Sequence, residues 1–132
     1  QRMKITLLFF FLSTIAFAQQ SLEDSYERGK LLYDDFCVRC HLPNGLGESG
    51  LVPPLAKADF LDNIKATVHS IKYGIYGPIT VNGVEYNGSM SPMGLDDDEI
   101  ADVTNFILNS WGNTSDVMID EKYVKKISEV KL

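Results

Sequence analysis

Two cysteines and a histidine stand together in the segment CVRCH, residues 37–41. They are the only cysteines of the 132-residue chain, and His41 is one of only two histidines. A disulfide between thiols this close would constrain the unfolded chain very little. A thioredoxin-type redox pair would need a surrounding βαβ pattern, and a zinc site would usually need a fourth ligand and more thiols. The spacing therefore favours a different chemistry.

The order C-x-x-C-H is the attachment signature of c-type haem. Two thiols separated by two residues lie on one turn, where each can form a thioether to one vinyl group of the porphyrin. His41 then projects over the centre of the ring and can bind the iron from one face. The sequence predicts one covalent haem c, attached through Cys37 and Cys40 and ligated by His41. The haem would also add to the core of a small domain.

An iron with one histidine ligand has a second face for another side chain. Of the four methionines, Met90 and Met93 lie in the segment NGSMSPMG, about fifty residues after His41. A thioether ligand favours ferrous iron and raises the reduction potential. His69, the other histidine, would give a bis-histidine haem, but a single histidine on a helix is more often a surface or packing residue. With no second ligand, the iron would bind gases or carry out peroxidase chemistry.

The sequence resembles the small monohaem class I cytochromes c of bacterial periplasms over about residues 25–112. Four segments carry the resemblance, in the family's order: GKLLYDDFCVRCH, VPPLA at 52–56, YNGSM at 86–90 and LDDDEIADVTNFILNSWGN at 95–113. It implies an all-α, small cytochrome c fold, in which N- and C-terminal helices cross, loops enclose the haem and a short β-hairpin is inserted.

The same resemblance implies the remaining site residues. It places the sixth ligand at Met90, with Met93 second, since Ser91 stands where the family usually has proline. In this family a proline carbonyl accepts a hydrogen bond from the haem histidine. Pro53 is the candidate here, and Pro54 and Pro43 are close alternatives.

Helical periodicity predicts the first and last helices of the domain. The first covers 21–36, and its shared face contains Tyr26, Gly29, Tyr33 and Phe36. The last covers 95–111, with Asp96 as its cap and an inner stripe of Ile100, Val103, Thr104, Ile107, Leu108 and Trp111. By resemblance, Gly29 allows the two helices to cross closely, against Phe106.

Three weaker patterns complete the prediction. A second helix is expected over 59–73, capped by Asp59. A β-hairpin is expected over 78–87, around Asn82-Gly83. In the tail, 121–130 predicts a short amphipathic helix with two inward residues, Val124 and Ile127.

The first residues predict export. Arg2 and Lys4 precede an apolar run over 5–17, and Ala16-Phe17-Ala18 is a cleavage site. The run is shorter than the roughly 20 residues that span a bilayer. We therefore expect a signal peptide over 1–18, a cytochrome c domain over 19–112 and a tail over 113–132.

The charge and the haem motif together predict the function. Cleavage would remove two bases and no acid, so the formal charge would change from −6 to −8, which disfavours nucleic acid and anionic membranes as partners. We expect a periplasmic single-electron carrier, not an enzyme, that exchanges electrons with donor and acceptor proteins and has no stable membrane insertion. The alternative is the haem c subunit of a periplasmic oxidoreductase complex, of dehydrogenase, nitrite reductase or sulfur-oxidising type.

Overall fold

The computed structural model describes residues 21–129, so the predicted signal peptide lies outside the described residues. Within this range, five helices and one hairpin follow in order: α1 over 21–36, α2 Val38–His41, a 3-10 turn Asp59–Asp62, α3 Ile64–Tyr73, β1 Ile75–Val81, β2 Val84–Met90, α4 Asp97–Leu108 and α5 Glu121–Lys125. Among the same residues, no helix has the length and apolarity needed to cross a membrane.

Helix α1 packs on α4 through an aromatic cluster. The ring of Phe106 lies 5.0 Å from that of Tyr26 and 5.2 Å from that of Tyr33, between ring centroids. A Cβ on Gly29 would lie 2.8 Å from the Cβ of Phe106, so this glycine permits the close approach. The predicted inner face is correct except at Phe36, which is 44% exposed on the last turn of α1.

Helix α4 begins with the predicted cap and ends three residues earlier than predicted. Asp96 and Glu99 form a capping box, in which Glu99 Oε2 accepts from Asp96 N at 2.9 Å. The helix ends at Leu108, because Ser110 Oγ donates to the Phe106 carbonyl at 2.6 Å and Trp111 takes a positive φ of 54°. The inner stripe is buried as predicted up to Leu108, and Trp111 is partly buried.

The prediction of one continuous helix over 59–73 is wrong. Asn63 interrupts it, and its side chain caps α3 by accepting from Ala66 N at 3.0 Å. Asp59 does not act as the cap: its side chain accepts from Asn82 N at 2.7 Å, and its own N–H donates to Asn82 Oδ1 at 2.9 Å. The polar groups of this turn therefore hold the hairpin. Gly74 ends α3 as predicted.

The hairpin is present and longer than predicted. Asn82 and Gly83 connect the strands with φ of 51° and 78°, the positive values that a type I′ turn requires. The antiparallel register runs from Val81 opposite Val84 out to Ile75 opposite Met90. Met90 therefore ends a strand, three residues beyond the predicted end of the hairpin at residue 87.

The tail packs on the helices with a helix shorter than expected, Glu121–Lys125. Asp120 caps it by accepting from Tyr123 N at 2.7 Å. Val124 and Ile127 are buried, as predicted for the inward residues. Ile119, just before the helix, is buried as well.

Candidate functional site

A cavity of about 280 Å³ opens between the end of α2, with the loop that follows it, and the face of the hairpin. The first wall consists of Cys40, His41, Leu51, Val52 and Pro53. The second consists of Ile75, Gly77, Ile79, Tyr86, Gly88, Ser89, Met90, Ser91 and Met93. Most of these side chains are apolar, so the cavity suits a large, flat, mainly hydrophobic group with a few polar anchors.

The two cysteines lie on one short turn and are not disulfide-bonded. Cys40 is exposed and lines the cavity, whereas Cys37 is half-buried and packs against the hydrophobic core. Burial, helped by the nearby Cys40, raises the pKa of the Cys37 thiol to about 11. Before any attachment, the Cys37 thiol is therefore a weak nucleophile at neutral pH.

His41 ends α2 with one ring nitrogen already engaged. Its Nδ1 lies 3.1 Å from the carbonyl oxygen of Pro53, which accepts the Nδ1–H and leaves Nε2 for a metal. Burial lowers the pKa of His41, and the hydrogen bond to Pro53 opposes that shift. The net lowering favours the neutral imidazole, the form that binds iron.

The hydrogen bond of His41 goes to Pro53 and to neither of the other two prolines considered for this role. The carbonyl of Pro43 accepts from Trp111 Nε1 at 2.9 Å. Pro54 is partly buried beside Pro53. Trp111, whose role the sequence left open, packs on the aromatic cluster 5.0 Å from Tyr33 and anchors the start of the loop.

Backbone hydrogen bonds close the loop that carries Pro53. The Gly45 carbonyl accepts from Leu55 N at 2.7 Å and from Ala56 N at 2.9 Å, which joins the two ends of the loop. Gly47 N donates to the His41 carbonyl at 3.0 Å. The Pro53 acceptor is therefore held in place by main-chain contacts.

Tyr33 supports the turn in a way that the sequence analysis did not foresee. Its hydroxyl donates to the Leu42 carbonyl at 2.6 Å, immediately after the CVRCH turn. Tyr33 is 1% exposed, and this burial raises its pKa well above the ordinary value. The helical spacing indicated an inward residue but gave no sign of this hydrogen bond.

Both candidate methionines line the cavity. Met90 is partly buried at the end of β2, opposite Ile75. Met93, three residues later, is 38% exposed. The strand pairing restrains Met90 more than Met93, which is outside the hairpin.

His69 is not among the residues that line the cavity. It is buried on α3, with its ring centroid 5.1 Å from that of Tyr73. Within 21–129 neither of its ring nitrogens has a hydrogen-bond partner.

The hairpin supplies most of the second wall. Ile75, Ile79 and Tyr86 come from both strands, and Tyr86 is the buried first residue of the YNGSM segment. The alternation of partly buried and exposed residues along β1 was the signal that could have identified this wall.

The donor set fits a covalent haem. Two unpaired thiols share one turn, an imidazole has its tautomer fixed, and two thioethers line the same apolar cavity. This set combines the anchors of a c-type haem with the imidazole and thioether ligands typical of cytochromes c. If a haem occupied this cavity, His41 Nε2 and one of the two methionine sulfurs would be the atoms able to hold its iron.

The chain is similar over most of its length to known cytochromes c. The family model "Cytochrome c" matches residues 26–111. A cytochrome c-552 of Thermus thermophilus is 37% identical over 98% of this chain and 90% of its own length. A second cytochrome c-552 of the same species is 39% identical over 73% of this chain and 81% of its own length.

A third relative is part of an enzyme. The gluconate 2-dehydrogenase cytochrome c subunit of Pantoea cypripedii is 30% identical over 79% of this chain, which corresponds to 24% of that protein. From the family match and the two cytochromes c-552, the chain belongs to the class I c-type cytochromes, electron-carrying proteins with covalently bound haem c.

Proposed function

We propose that this protein is a periplasmic single-electron carrier in which Cys37 and Cys40 tether the haem and His41 and Met90 bind its iron. The observation that carries the proposal is the apolar cavity, which contains His41, held by Pro53 at 3.1 Å, together with Met90. The protein is not itself an enzyme, because two protein ligands would leave no coordination position for a substrate.

When bound, the haem supplies one-electron Fe(III)/Fe(II) chemistry, and the side chains tune it. The Pro53 carbonyl orients His41 and makes its imidazole a stronger donor. The Met90 thioether favours the ferrous state. The apolar cavity walls would keep water away from the bound haem.

The remaining assignments belong to the same proposal. Residues 1–18 direct export and are removed, 19–112 form the small cytochrome c fold, and 113–132 form a tail. The protein then works in the periplasm with a donor and an acceptor protein. The order of the four family segments, which lie between residues 29 and 113, supports the cytochrome c part of this division.

The test is the spectrum of the haem-loaded full-length protein, made in a bacterium with haem c attachment machinery. Wild type is expected to be red, to retain its haem on acid extraction and to show the ferric charge-transfer band of a methionine–iron bond. Met90→Ala should lose that band and bind carbon monoxide when reduced. Met93→Ala is the matched control and should keep the band.

Two results would contradict the proposal at different levels. A colourless exported protein would remove the haem site altogether. A band that survives Met90→Ala and disappears in Met93→Ala would transfer the ligand role to Met93 and leave the carrier function intact.

A second candidate is an electron-transfer subunit of a larger enzyme complex. It is favoured by the similarity to the gluconate 2-dehydrogenase subunit and by Leu46 and Leu51, which are exposed in the loop beside the cavity. Purification of the native protein from its own cells discriminates the two. A stable complex with a dehydrogenase supports the subunit, and a monomer that is reoxidised by an oxidase supports the carrier.

A further inference from the structure

The last described part of the chain, residues 119–129, packs on the helices and forms hydrogen bonds with them. We name it the C-terminal strap. At its start, Asn105 holds both backbone groups of Ile119: Asn105 Nδ2 donates to Ile119 O at 2.8 Å, and Ile119 N donates to Asn105 Oδ1 at 2.8 Å. Farther along, Val124 is 0% exposed and Ile127 is buried. The strap is therefore part of the packed structure.

Two side chains on the last turn of α3 also form hydrogen bonds with the strap. Lys72 Nζ donates to the Val124 carbonyl at 3.0 Å, and Tyr73 Oη donates to the Ile127 carbonyl at 3.0 Å. Both bonds are partly buried and join residues more than fifty positions apart. Because hydrogen bonds in partly desolvated positions are strengthened, they fix the end of α3 to the strap.

The end of α3 is also where the helix meets Met90. Gly74 follows Tyr73 directly, with φ of 82°, and is buried. A Cβ on Gly74 would lie 2.6 Å from the Met90 carbonyl oxygen and 3.0 Å from Pro92 Cδ. The next residue, Ile75, pairs with Met90 across the hairpin. Two successive residues after Tyr73 therefore contact the Met90 backbone.

We infer that the C-terminal strap is a positioning element for the methionine ligand, acting through Tyr73 and Lys72 on the Gly74–Ile75 junction. The inference rests on the proposed role of Met90. When the strap is in place, α3 ends at a fixed position and Gly74 supports the Met90 backbone. When the strap is loosened, the junction and the end of β2 move more freely, so the sulfur leaves the iron more often.

Tyr73 offers the cleaner test of the two contacts. Lys72 also forms an ion pair with Asp97 at 2.9 Å, so its substitution would disturb the start of α4 as well. Tyr73→Phe removes one hydroxyl and keeps the ring that packs on His69. Val124→Ala provides a second variant, because it loosens the strap and leaves every residue of α3 unchanged.

The experiment measures cyanide capture by the ferric, haem-loaded, full-length protein at pH 7, where the sulfur must leave before cyanide binds. Losing one hydrogen bond from the closed state should speed capture about fivefold in Tyr73→Phe. Val124→Ala should show an increase in the same direction. Global stability is measured on the same samples by denaturant unfolding.

Arg28→Gln is the matched control, because it breaks the Arg28–Asp102 ion pair between α1 and α4 and so destabilises the protein at a different contact. Capture that speeds up in the strap variants but not in Arg28→Gln supports the inference. Capture that stays at the wild-type rate, or that follows global stability in all variants, overturns it. Met90→Ala tests the ligand assignment separately from the role of the strap. If this variant retains the methionine–iron band, the ligand assignment fails and the inference fails with it.

Discussion

Gly29 and Asp102 contact each other backbone to backbone where α1 crosses α4: a Cβ on Gly29 would lie 2.0 Å from the Asp102 carbonyl oxygen. The Asp102 side chain fastens the same crossing, since its carboxylate accepts from Ser25 Oγ at 2.6 Å and from Arg28 Nε at 2.6 Å. The helices therefore approach as closely as their main chains allow, and only glycine fits at this position of α1.

Gly29→Ala is expected to destabilise the protein by about 2–3 kcal/mol, because overpacking at the crossing outweighs the gain in helix propensity of about 1 kcal/mol. Denaturant unfolding of the haem-loaded protein measures the loss. Lys30→Ala, on the exposed side of α1, removes only a surface ion pair with Asp34 and should leave stability nearly unchanged, because solvent screens such a pair. Equal effects of the two variants would contradict the close crossing.

Gly47→Ala should raise the reduction potential. A Cβ there would lie 2.4 Å from the Val52 carbonyl oxygen and 2.7 Å from that of Pro53. Displacing the Pro53 acceptor weakens its bond to His41, makes the imidazole a weaker donor and so favours ferrous iron. The expected rise in the reduction potential is about 40 mV, which corresponds to roughly 1 kcal/mol in a one-electron couple. Voltammetry of the haem-loaded protein measures it.

Gly50→Ala is the matched control for that shift. Gly50 lies in the same loop with a positive φ of 78°, but a Cβ there would meet nothing within 4 Å. Both variants carry the left-handed backbone penalty of about 1–2 kcal/mol. An equal potential change in both would show that loop strain, and not the Pro53 carbonyl, sets the potential.

Tyr33 should make stability depend on alkaline pH. The unfolded phenol ionises near pH 10, and burial raises the pKa of Tyr33 in the folded protein. Its stabilising contribution, about 1 kcal/mol for the hydrogen bond to Leu42, is therefore complete below pH 10 and is lost as the pH rises above it.

Unfolding of wild type and Tyr33→Phe between pH 8 and pH 11 tests this expectation. Wild type should be the more stable protein at pH 8, and the difference should shrink as the pH rises. Tyr76→Phe, at an exposed tyrosine, should follow the wild-type profile. A difference between wild type and Tyr33→Phe that stays constant with pH would contradict the buried, neutral phenol.

Asn105→Leu is expected to cost about 3 kcal/mol. The substitution keeps the size of the side chain but leaves both Ile119 backbone groups without their partner. It also removes the Asn105 amide that donates to Ser25 Oγ. Denaturant unfolding gives the loss, and limited proteolysis should cut the tail first. Asn87→Leu, exposed on β2, should change stability by less than about 0.5 kcal/mol.

The elements with strong local signals were predictable. The CVRCH turn, the Asn82-Gly83 hairpin and the Asp96 cap each depend on chemistry that a few neighbouring residues specify. The inward stripe of α4 follows from helical periodicity alone, and the tail pattern identified Val124 and Ile127 as buried. Resemblance to the family added the Gly29 crossing, which spacing could not indicate.

The features that could not be predicted depend on contacts between residues that are distant in the sequence. Asn63 and Asp59 both have the chemistry of caps, and only the contact of Asp59 with Asn82 assigns them different roles. The extent of the hairpin to Met90 depends on pairing with Ile75, a residue the sequence placed outside any strand. The Tyr33–Leu42 and Tyr73–Ile127 hydrogen bonds join aromatic hydroxyls to backbone carbonyls, which carry no sequence signature.

The closed loop around Pro53 has a consequence for the rate of electron transfer. Its ends meet at the Gly45 carbonyl, and the facing hairpin is paired along its whole length. Dipoles held by main-chain bonds turn very little when the charge beside them changes. The polypeptide around the iron should therefore have nearly the same shape in both oxidation states, which keeps the reorganisation energy small and permits rapid self-exchange.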